Sequence, residues 1–193
     1  LKVLSTDNPS VRERMLSEGK MQAQLSHPNI LAVRDVLDVD GSPGLLMDLV
    51  TEGSLADLLM LGRLSDKDCA EMFAEILAGV ALAHSRGMVH QDLKPANILI
   101  SKVDGRNVPQ IADFGLAKIL GDMDVREHKT QKGIAMGTPA YRAQEQVFDA
   151  STADQRADIW ALGAILYEMS TGARVFNGTS QLQVLGMVTN GIW

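Results

Sequence analysis

The sequence of 193 residues contains one cysteine, few aromatic residues and no cluster of basic residues. Cys69 by itself forms neither an internal disulfide nor a cysteine-based metal site, and it fits the reducing cytoplasm, where we expect the protein. The net charge is −6, so the chain lacks the basic face that a nucleic-acid-binding protein of this size usually shows. We therefore expect no nucleic-acid partner.

Long hydrophobic runs are absent as well. The longest, at 159–166, falls far short of the roughly 18 apolar residues that span a bilayer, so we predict no membrane segment in this chain. The opening residues show no signal-peptide pattern and resemble a strand entered midway, so we expect the chain to be part of a longer domain. Hydrophobic residues make up 46% of the sequence, enough for a sizeable core.

Turn residues divide the first part of the chain into short elements. Asn8-Pro9 and His27-Pro28 bound a predicted helix at 11–25, because proline lacks an N–H donor and restricts the residue before it. Hydrophobic patterns predict strands on either side, one ending near residue 5 and two covering 30–39 and 45–50.

The rest of the chain is richer in helical patterns. Ser65 opens a long predicted helix that ends near Arg86. Helical patterns also cover 153–171 and 180–190, and the first of these is apolar on most sides, which predicts burial. Two strands at 98–101 and 108–112 flank a turn, and the polar stretch 118–137 is predicted to be a long functional loop. Strands first and helices later, without βαβ alternation, predict an α+β fold.

Two aspartates near the middle of the chain lie in polar, turn-like sequences. Asp92 is part of His90-Gln91-Asp92-Leu93-Lys94-Pro95-Ala96-Asn97, and Asp113 opens Asp113-Phe114-Gly115. Phosphoryl transfer needs such a set, since one carboxylate orients the attacking hydroxyl while carboxylate and amide oxygens hold magnesium. Asp-Phe-Gly alone would be weak evidence, but the ordered series is specific.

These motifs resemble those of the protein kinase family, and the resemblance covers essentially the whole chain. It implies that Asp92 is the catalytic base and that Lys94 stabilises the γ-phosphate of ATP. Asn97 and Asp113 are implied as ligands of Mg²⁺. A lysine at the position of Lys94 in the motif resembles the pattern of serine/threonine kinases rather than that of tyrosine kinases. His90 is implied to be a packed core histidine rather than a general base.

The resemblance also implies an ATP site at the start of the chain. Lys2 is similar to the lysine that grips the α- and β-phosphates. Glu18 is the expected ion-pair partner of Lys2, with Glu13 as the alternative.

The stretch 45–50 resembles the strand that leads into the kinase hinge. Met47 would guard the back of the pocket, and backbone groups of Asp48 and Val50 would meet the adenine edge. Leu99 would pack under the adenine ring. The family fold implies two lobes: a partial N-lobe at 1–50, with sheet strands, one helix and the hinge, and a mainly helical C-lobe at 51–193.

The stretch 137–141 resembles the loop that binds a protein substrate. Thr138 is similar to the threonine that bridges Asp92 and Lys94. Asp158 is similar to the buried aspartate that anchors the backbone of the catalytic loop.

The sequence departs from the family pattern in four places. No glycine-rich phosphate loop precedes Lys2, which again predicts a domain cut at its ends. Gln91 replaces an arginine that usually pairs with a phosphate on the activation loop, so we expect activity not to depend on phosphorylation read there. Gln144 replaces the proline of Ala-Pro-Glu, and Gln22 stands where an apolar residue is usual.

Two functions remain open at this point. The first is an active serine/threonine kinase core, and the second is a pseudokinase or ATP-binding module with little turnover. Lys2, Asp92, Asn97 and Asp113 are all present, which favours the first, because pseudokinases commonly lose at least one of them. A small-molecule phosphotransferase is disfavoured by the substrate-loop motif at 137–141.

Overall fold

The computed structural model describes residues 1–3, 9–40, 42–114, 139–149 and 152–192, so the predicted loop at 118–137 lies outside the described residues. A small antiparallel sheet comes first, in which β1 (Lys2–Val3), β2 (Val33–Val39) and β3 (Ser42–Met47) pair in the order β1-β3-β2. The predicted strand at 45–50 is therefore displaced, since β3 begins earlier and stops at Met47.

One helix, α1 (Pro9–Ala23), packs on β2 and β3. A Cβ added to Gly19 would lie 2.7 Å from Cδ2 of Leu45, so the absence of a side chain there lets the helix approach the sheet closely. Glu18 is the preceding residue. The close approach of Gly19 to Leu45 sets the distance between the middle of α1 and the sheet.

Two capped helices follow, α2 (Leu55–Met60) and α3 (Asp66–Ser85). The Ser65 hydroxyl accepts the backbone N–H of Asp68 at 3.1 Å, so the predicted start of the long helix is confirmed. Ser54 and Asp57 exchange side-chain and backbone hydrogen bonds at the start of α2. Sequence patterning missed α2 because six residues are too few to show helical periodicity.

A hairpin of β4 (Ile98–Val103) and β5 (Arg106–Ile111) comes next. Asp104 and Gly105 both have positive φ, 50° and 78°, the backbone of a two-residue hairpin turn. Strand β4 therefore ends at Val103 rather than at the predicted residue 101, and β5 begins at Arg106 rather than at the predicted residue 108. Helix α3 passes under this hairpin at Gly79, where a Cβ would lie 2.9 Å from the carbonyl oxygen of Asn29.

The last described elements are helical. They comprise a one-turn helix α4 (Gln144–Phe148), the long α5 (Gln155–Thr171) and α6 (Gln181–Asn190). A 3₁₀ turn at Pro139–Tyr141 precedes α4, and another at Pro95–Asn97 precedes the hairpin. The prediction that α5 is buried on most sides is wrong for one face. Ile159, Trp160, Leu166 and Tyr167 are exposed, because the described residues cover this face only in part, where Phe176 stacks on Trp160.

Buried apolar side chains form a large and a small cluster. The small cluster lies between α1 and the sheet and consists of Met15, Val33 and Leu45. The large cluster joins α2, α3, α5, α6 and the hairpin, and its most completely buried members include Leu55, Ile76, Leu93, Ile98, Ile111, Ile165 and Met169. Leu25 and Ile30 belong to the large cluster although they precede residue 50. The division into lobes at residue 50 stays a prediction.

Candidate active site

Asp158 on α5 holds the backbone at the start of the stretch 90–97. Its two carboxylate oxygens accept the backbone N–H groups of His90 and Gln91, each at 2.8 Å. Nε2 of His84 lies 2.8 Å from one of the same oxygens. The Asp158 side chain is only 1% exposed, so these contacts replace the water that a carboxylate would otherwise require. The anchor implied by the family resemblance is present.

His90 is fully buried and connects this stretch to the chain just before Asp113. Its Nε2 lies 2.8 Å from the carbonyl oxygen of Ala112 and must carry the proton there, because a carbonyl only accepts. Nδ1 then accepts the backbone N–H of Asp92 at 3.3 Å. The ring also contacts Phe114, with the ring centroids 4.8 Å apart. Both nitrogens are committed, which agrees with a packed core histidine rather than a base.

Asp92, Lys94 and Asn97 form a compact polar cluster beside this anchor. Nζ of Lys94 lies 2.5 Å from Oδ2 of Asp92. Nδ2 of Asn97 donates to the Asp92 carbonyl at 2.8 Å and reaches Oδ2 at 3.3 Å. The 3₁₀ turn that begins at Pro95 bends the chain back and makes this possible. Among the described residues both side-chain contacts use Oδ2 of Asp92, and neither uses Oδ1.

Asp113 and Lys2 face each other across the site. Nζ of Lys2 lies 2.7 Å from Oδ1 of Asp113, and the two side chains are 36% and 26% exposed. Asp113 has a φ of 64°, a conformation that residues other than glycine rarely adopt, while the following Phe114 is buried. Glu18 lies partly buried on α1, and its predicted pairing with Lys2 stays a prediction.

The predicted hinge begins where β3 ends. Met47 is partly buried and packs against the small cluster. The backbone N–H of Asp48 donates to the carbonyl of Ala32 at 3.3 Å, and its predicted contact with adenine stays a prediction. Two nitrogens of Arg34 lie 2.7 Å from the Asp48 carboxylate, and these hydrogen bonds lower the pKa of Asp48. The side chain of Asp48 is thereby turned to Arg34.

Val50 and Leu99 are both partly buried at this edge of the hairpin. The chain after Val50 pairs with β4, because Ser54 bridges to Leu99 and the Ile100 N–H donates to the Gly53 carbonyl at 2.9 Å. Leu99 is therefore held next to the chain that follows the predicted hinge.

Gln91 and Gln146 form a link that sequence reasoning missed. Gln91 has a φ of 66°, and its side-chain amide donates to the carbonyl of Ala153 at 2.9 Å. The amide of the buried Gln146 donates to the Gln91 carbonyl at 2.7 Å and accepts the Ala143 N–H at 3.1 Å. The stretch 90–97, which is the predicted catalytic loop, is thus tied to α4 by neutral groups. That activity is independent of loop phosphorylation stays a prediction.

A second missed link joins Tyr141, Glu168 and Arg174. The Tyr141 hydroxyl donates to Glu168, and Nε of Arg174 lies 3.6 Å from the other oxygen of that carboxylate. Burial, reinforced by the bond to Glu168, raises the pKa of Tyr141 above its usual range, so the phenol stays protonated. Thr138, the remaining predicted catalytic residue, lies outside the described residues.

The donor set fits magnesium carried in with a nucleotide. No group of three or more His, Cys, Asp or Glu side chains within the described ranges could hold a metal by itself. Magnesium in phosphoryl-transfer sites needs only one or two protein oxygens besides phosphate and water. Since Nδ2 of Asn97 is used by Asp92, its Oδ1 is directed elsewhere and is the hard donor that such an ion prefers. Asp113 supplies a carboxylate.

Nearly the whole chain matches a known family. The model of the protein kinase domain matches residues 1–191. The chain is 34% identical to myosin light chain kinase A of Dictyostelium discoideum, over 86% of this chain and 54% of that protein. It is 36% identical to serine/threonine-protein kinase PknL of Mycobacterium tuberculosis, over 89% of this chain and 41% of that protein.

A further relative is the DNA damage-responsive serine/threonine-protein kinase RqkA of Deinococcus radiodurans, 37% identical over 96% of this chain and 27% of that protein. The chain thus spans about half or less of the length of these relatives. No helix in the described part of the chain is long and apolar enough to cross a membrane. The family match and these relatives show that the chain belongs to the protein kinase family, as a catalytic core of the serine/threonine type.

Proposed function

We propose that the protein transfers the γ-phosphate of ATP to serine or threonine hydroxyls of a protein substrate. The observation that carries the proposal is the cluster of Asp92, Lys94 and Asn97, which Asp158 anchors to α5. The alternative of a pseudokinase gains nothing from the structure or the relatives. The resemblance supports a protein rather than a small molecule as the acceptor.

In this proposal Asp92 is the base. Its Oδ1 orients the attacking hydroxyl and takes the proton while the new O–P bond forms and the bond between the γ-phosphorus and the bridging oxygen of ADP breaks. Lys94 is positioned to neutralise the transferred group, and Thr138 is proposed to bridge the two. Asn97 and Asp113 would hold Mg²⁺, which supplies charge neutralisation at the phosphates.

The nucleotide is proposed to bind on the sheet side of this cluster. Lys2, supported by Glu18, would leave Asp113 for the α- and β-phosphates. Adenine would meet the Asp48 carbonyl and the backbone of Val50, as proposed from the hinge resemblance.

Met47 and Leu99 are proposed as the apolar walls of the adenine pocket.

We also propose a cytoplasmic location, supported by the single cysteine. Burial first, and the nearby Asp66 second, raise the pKa of Cys69, so its thiol stays protonated at neutral pH.

The test is transfer of labelled γ-phosphate from Mg-ATP to a mixed protein substrate by the full-length protein. Asp92→Ala and the near-isosteric Asp92→Asn should each lower kcat by about 10²–10⁴-fold, because a positioned base contributes about that factor. ATP binding, followed by fluorescence of a nucleotide analogue, should persist in both variants.

A matched control is Asp35→Asn, an exposed aspartate on β2 away from the cluster, which should transfer phosphate like the wild type. If wild type and Asp92→Ala transferred phosphate equally well, or neither transferred any while both bound Mg-ATP, the kinase proposal would be wrong. The second outcome would establish the pseudokinase alternative.

A further inference from the structure

An open cleft of about 260 Å³ lies beside the 3₁₀ turn Pro139–Tyr141. Its lining comes from that turn, from the segment between α5 and α6 and from the start of α6, and includes Pro139, Ala140, Arg174, Phe176, Thr179 and Val184. The volume is below the roughly 300–1,000 Å³ of sites for drug-sized molecules. A cleft of this size suits one or two amino-acid side chains of a bound polypeptide.

The floor of the cleft is apolar and firmly packed. Ala140, Phe176 and Val184 are each less than a tenth exposed. Phe176 is also stacked on Trp160 of α5, with ring centroids 6.0 Å apart and planes inclined by 9°. The floor is thus preformed and would not need to be ordered when a partner binds.

Among the described residues that line the cleft, Arg174 carries the only charge. Its side chain is 52% exposed, whereas the Glu168 carboxylate behind it is 12% exposed. Glu168 already accepts the Tyr141 hydroxyl and faces Arg174 at 3.6 Å, so its charge is balanced from within the chain. The guanidinium has five N–H donors, and the Glu168 carboxylate together with the Tyr141 oxygen cannot satisfy them all.

The cleft is connected to the catalytic loop. Tyr141, whose hydroxyl reaches Glu168, also lines a small cavity together with Gln91 and Asp92. That cavity has room for about one water molecule. The turn that lines the cleft through Ala140 therefore also lies against the residues at the proposed base through Tyr141.

We propose that this cleft binds the protein substrate next to its phosphorylated residue and that Arg174 selects an acidic side chain there. The ligand chemistry is a carboxylate of aspartate or glutamate or the phosphate of a previously phosphorylated residue, both of which pair with a guanidinium through two N–H groups. The inference rests on the proposed kinase function and adds a substrate class to it. A basic substrate residue is disfavoured, because it would have to displace Arg174 from Glu168.

The experiment uses the full-length protein and peptides with one central serine or threonine. Each flanking position is occupied in turn by Asp, Glu, phosphoserine, Ala, Lys or Arg. At one position we expect acidic residues to raise kcat/KM about threefold to tenfold over alanine, the range for one partly exposed charge pair with guanidinium geometry. Lys and Arg should lower it there. The Asp and phosphoserine arms distinguish a carboxylate from a phosphate ligand.

Variants of Arg174 separate its role from a general effect on folding. Arg174→Gln should bring the acidic-to-alanine ratio close to one, and Arg174→Glu should invert it in favour of lysine and arginine. Arg106→Gln is the matched control. Arg106 lies on the hairpin, away from the cleft, and it is another half-exposed arginine that is paired with a glutamate, Glu75. It should keep the wild-type ratio. An acidic preference that is absent, or unchanged in Arg174→Gln, would overturn the inference while leaving the kinase function intact.

Failure of the kinase proposal has a different signature. No peptide would then be labelled above the Asp92→Ala background. The cleft is tested in that case by fluorescence anisotropy with labelled acidic and alanine peptides. Tighter binding of the acidic peptide that is lost in Arg174→Gln would support the role of Arg174, and equal binding would contradict it.

Discussion

The catalytic loop, residues 90–97, is held in place by buried side chains. The residues expected to bind ATP are instead held by ion pairs that are partly exposed to solvent. Asp158 and His90 are at most 1% exposed and bind backbone groups. Lys2 is 36% exposed, and Asp48 meets Arg34 at the surface. The first kind of contact fixes where the base lies, and the second leaves charged groups that a nucleotide can take over.

The difference follows from what each region must do. A base that is misplaced by about 1 Å can cost on the order of a hundredfold in rate, so its supports need to be buried and directional. Phosphate-binding cations act over longer distances and can exchange one anionic partner for another at little cost, because exposed ion pairs are worth little. We therefore expect substitutions in the buried network to lower stability and kcat together.

Asp158→Ala should show the largest effect. It leaves two buried backbone N–H groups, of His90 and Gln91, without an acceptor, at about 1–3 kcal/mol each. The expected loss is about 3–5 kcal/mol in the free energy of unfolding, together with loss of transfer. Asp158→Asn, which keeps one acceptor oxygen, should lose less. Thermal unfolding with and without Mg-ATP measures the loss.

Asp154→Ala is the control on the same helix. Asp154 caps α5 by accepting the Arg156 N–H at 2.8 Å, but its side chain is exposed, and within the described ranges it forms no hydrogen bond or ion pair with a proposed catalytic residue. It should destabilise less than Asp158→Ala and leave kcat unchanged. Equal losses in the two variants would mean that Asp158 serves the helix and not the loop.

Gln146→Ala should have an intermediate effect. It removes the donor to the Gln91 carbonyl and the acceptor for the Ala143 N–H, which costs about 1–3 kcal/mol for a buried group. Because the Gln91 carbonyl directly precedes Asp92, kcat should fall about tenfold while KM for ATP stays constant. The neighbouring Gln144, whose exposed amide donates to the Thr189 carbonyl, gives the control Gln144→Ala. A higher KM for ATP with unchanged kcat would contradict this assignment.

Sequence reasoning succeeded where a local pattern and a chemical requirement coincide. The helix predicted from Ser65 to about residue 86 is α3, because its cap and apolar spacing are both local. The structure also brings Asp92, Lys94 and Asn97 together, since only four residues separate Asp92 from Asn97 and the 3₁₀ turn at Pro95–Asn97 bends the chain back.

Long-range polar contacts could not be predicted in the same way. Gln146 binds the backbone of a residue 55 positions away and leaves no periodic trace in the sequence. The hydrogen bond from Tyr141 to Glu168, 27 positions away, was missed for the same reason. The apolar pattern of α5 predicted burial but not which face would be covered, because periodicity contains no information about the neighbours of a helix.

Substitution of Gln22 on α1 should give the smallest change in the free energy of unfolding, and it should stabilise the fold rather than destabilise it. Its side chain is 1% exposed, and its Nε2 has no hydrogen-bond partner among the described residues. The sequence places this amide where an apolar residue is usual. Gln22→Leu removes an unsatisfied buried donor and should stabilise the fold by about 1 kcal/mol, a rise of roughly 2–4 °C in Tm for a chain of this size.

Gln24→Leu is the matched control, because Gln24 is exposed just beyond the end of α1 and gains nothing from the loss of its amide. If Gln22→Leu stabilises and Gln24→Leu does not, the sheet region contains a weak point that the catalytic loop lacks. KM for ATP should stay within about twofold in both variants, since Lys2 is fixed by β1 rather than by this amide. A lower Tm for Gln22→Leu would mean that the amide has a partner, and that the sheet region depends on buried polar contacts as the catalytic loop does.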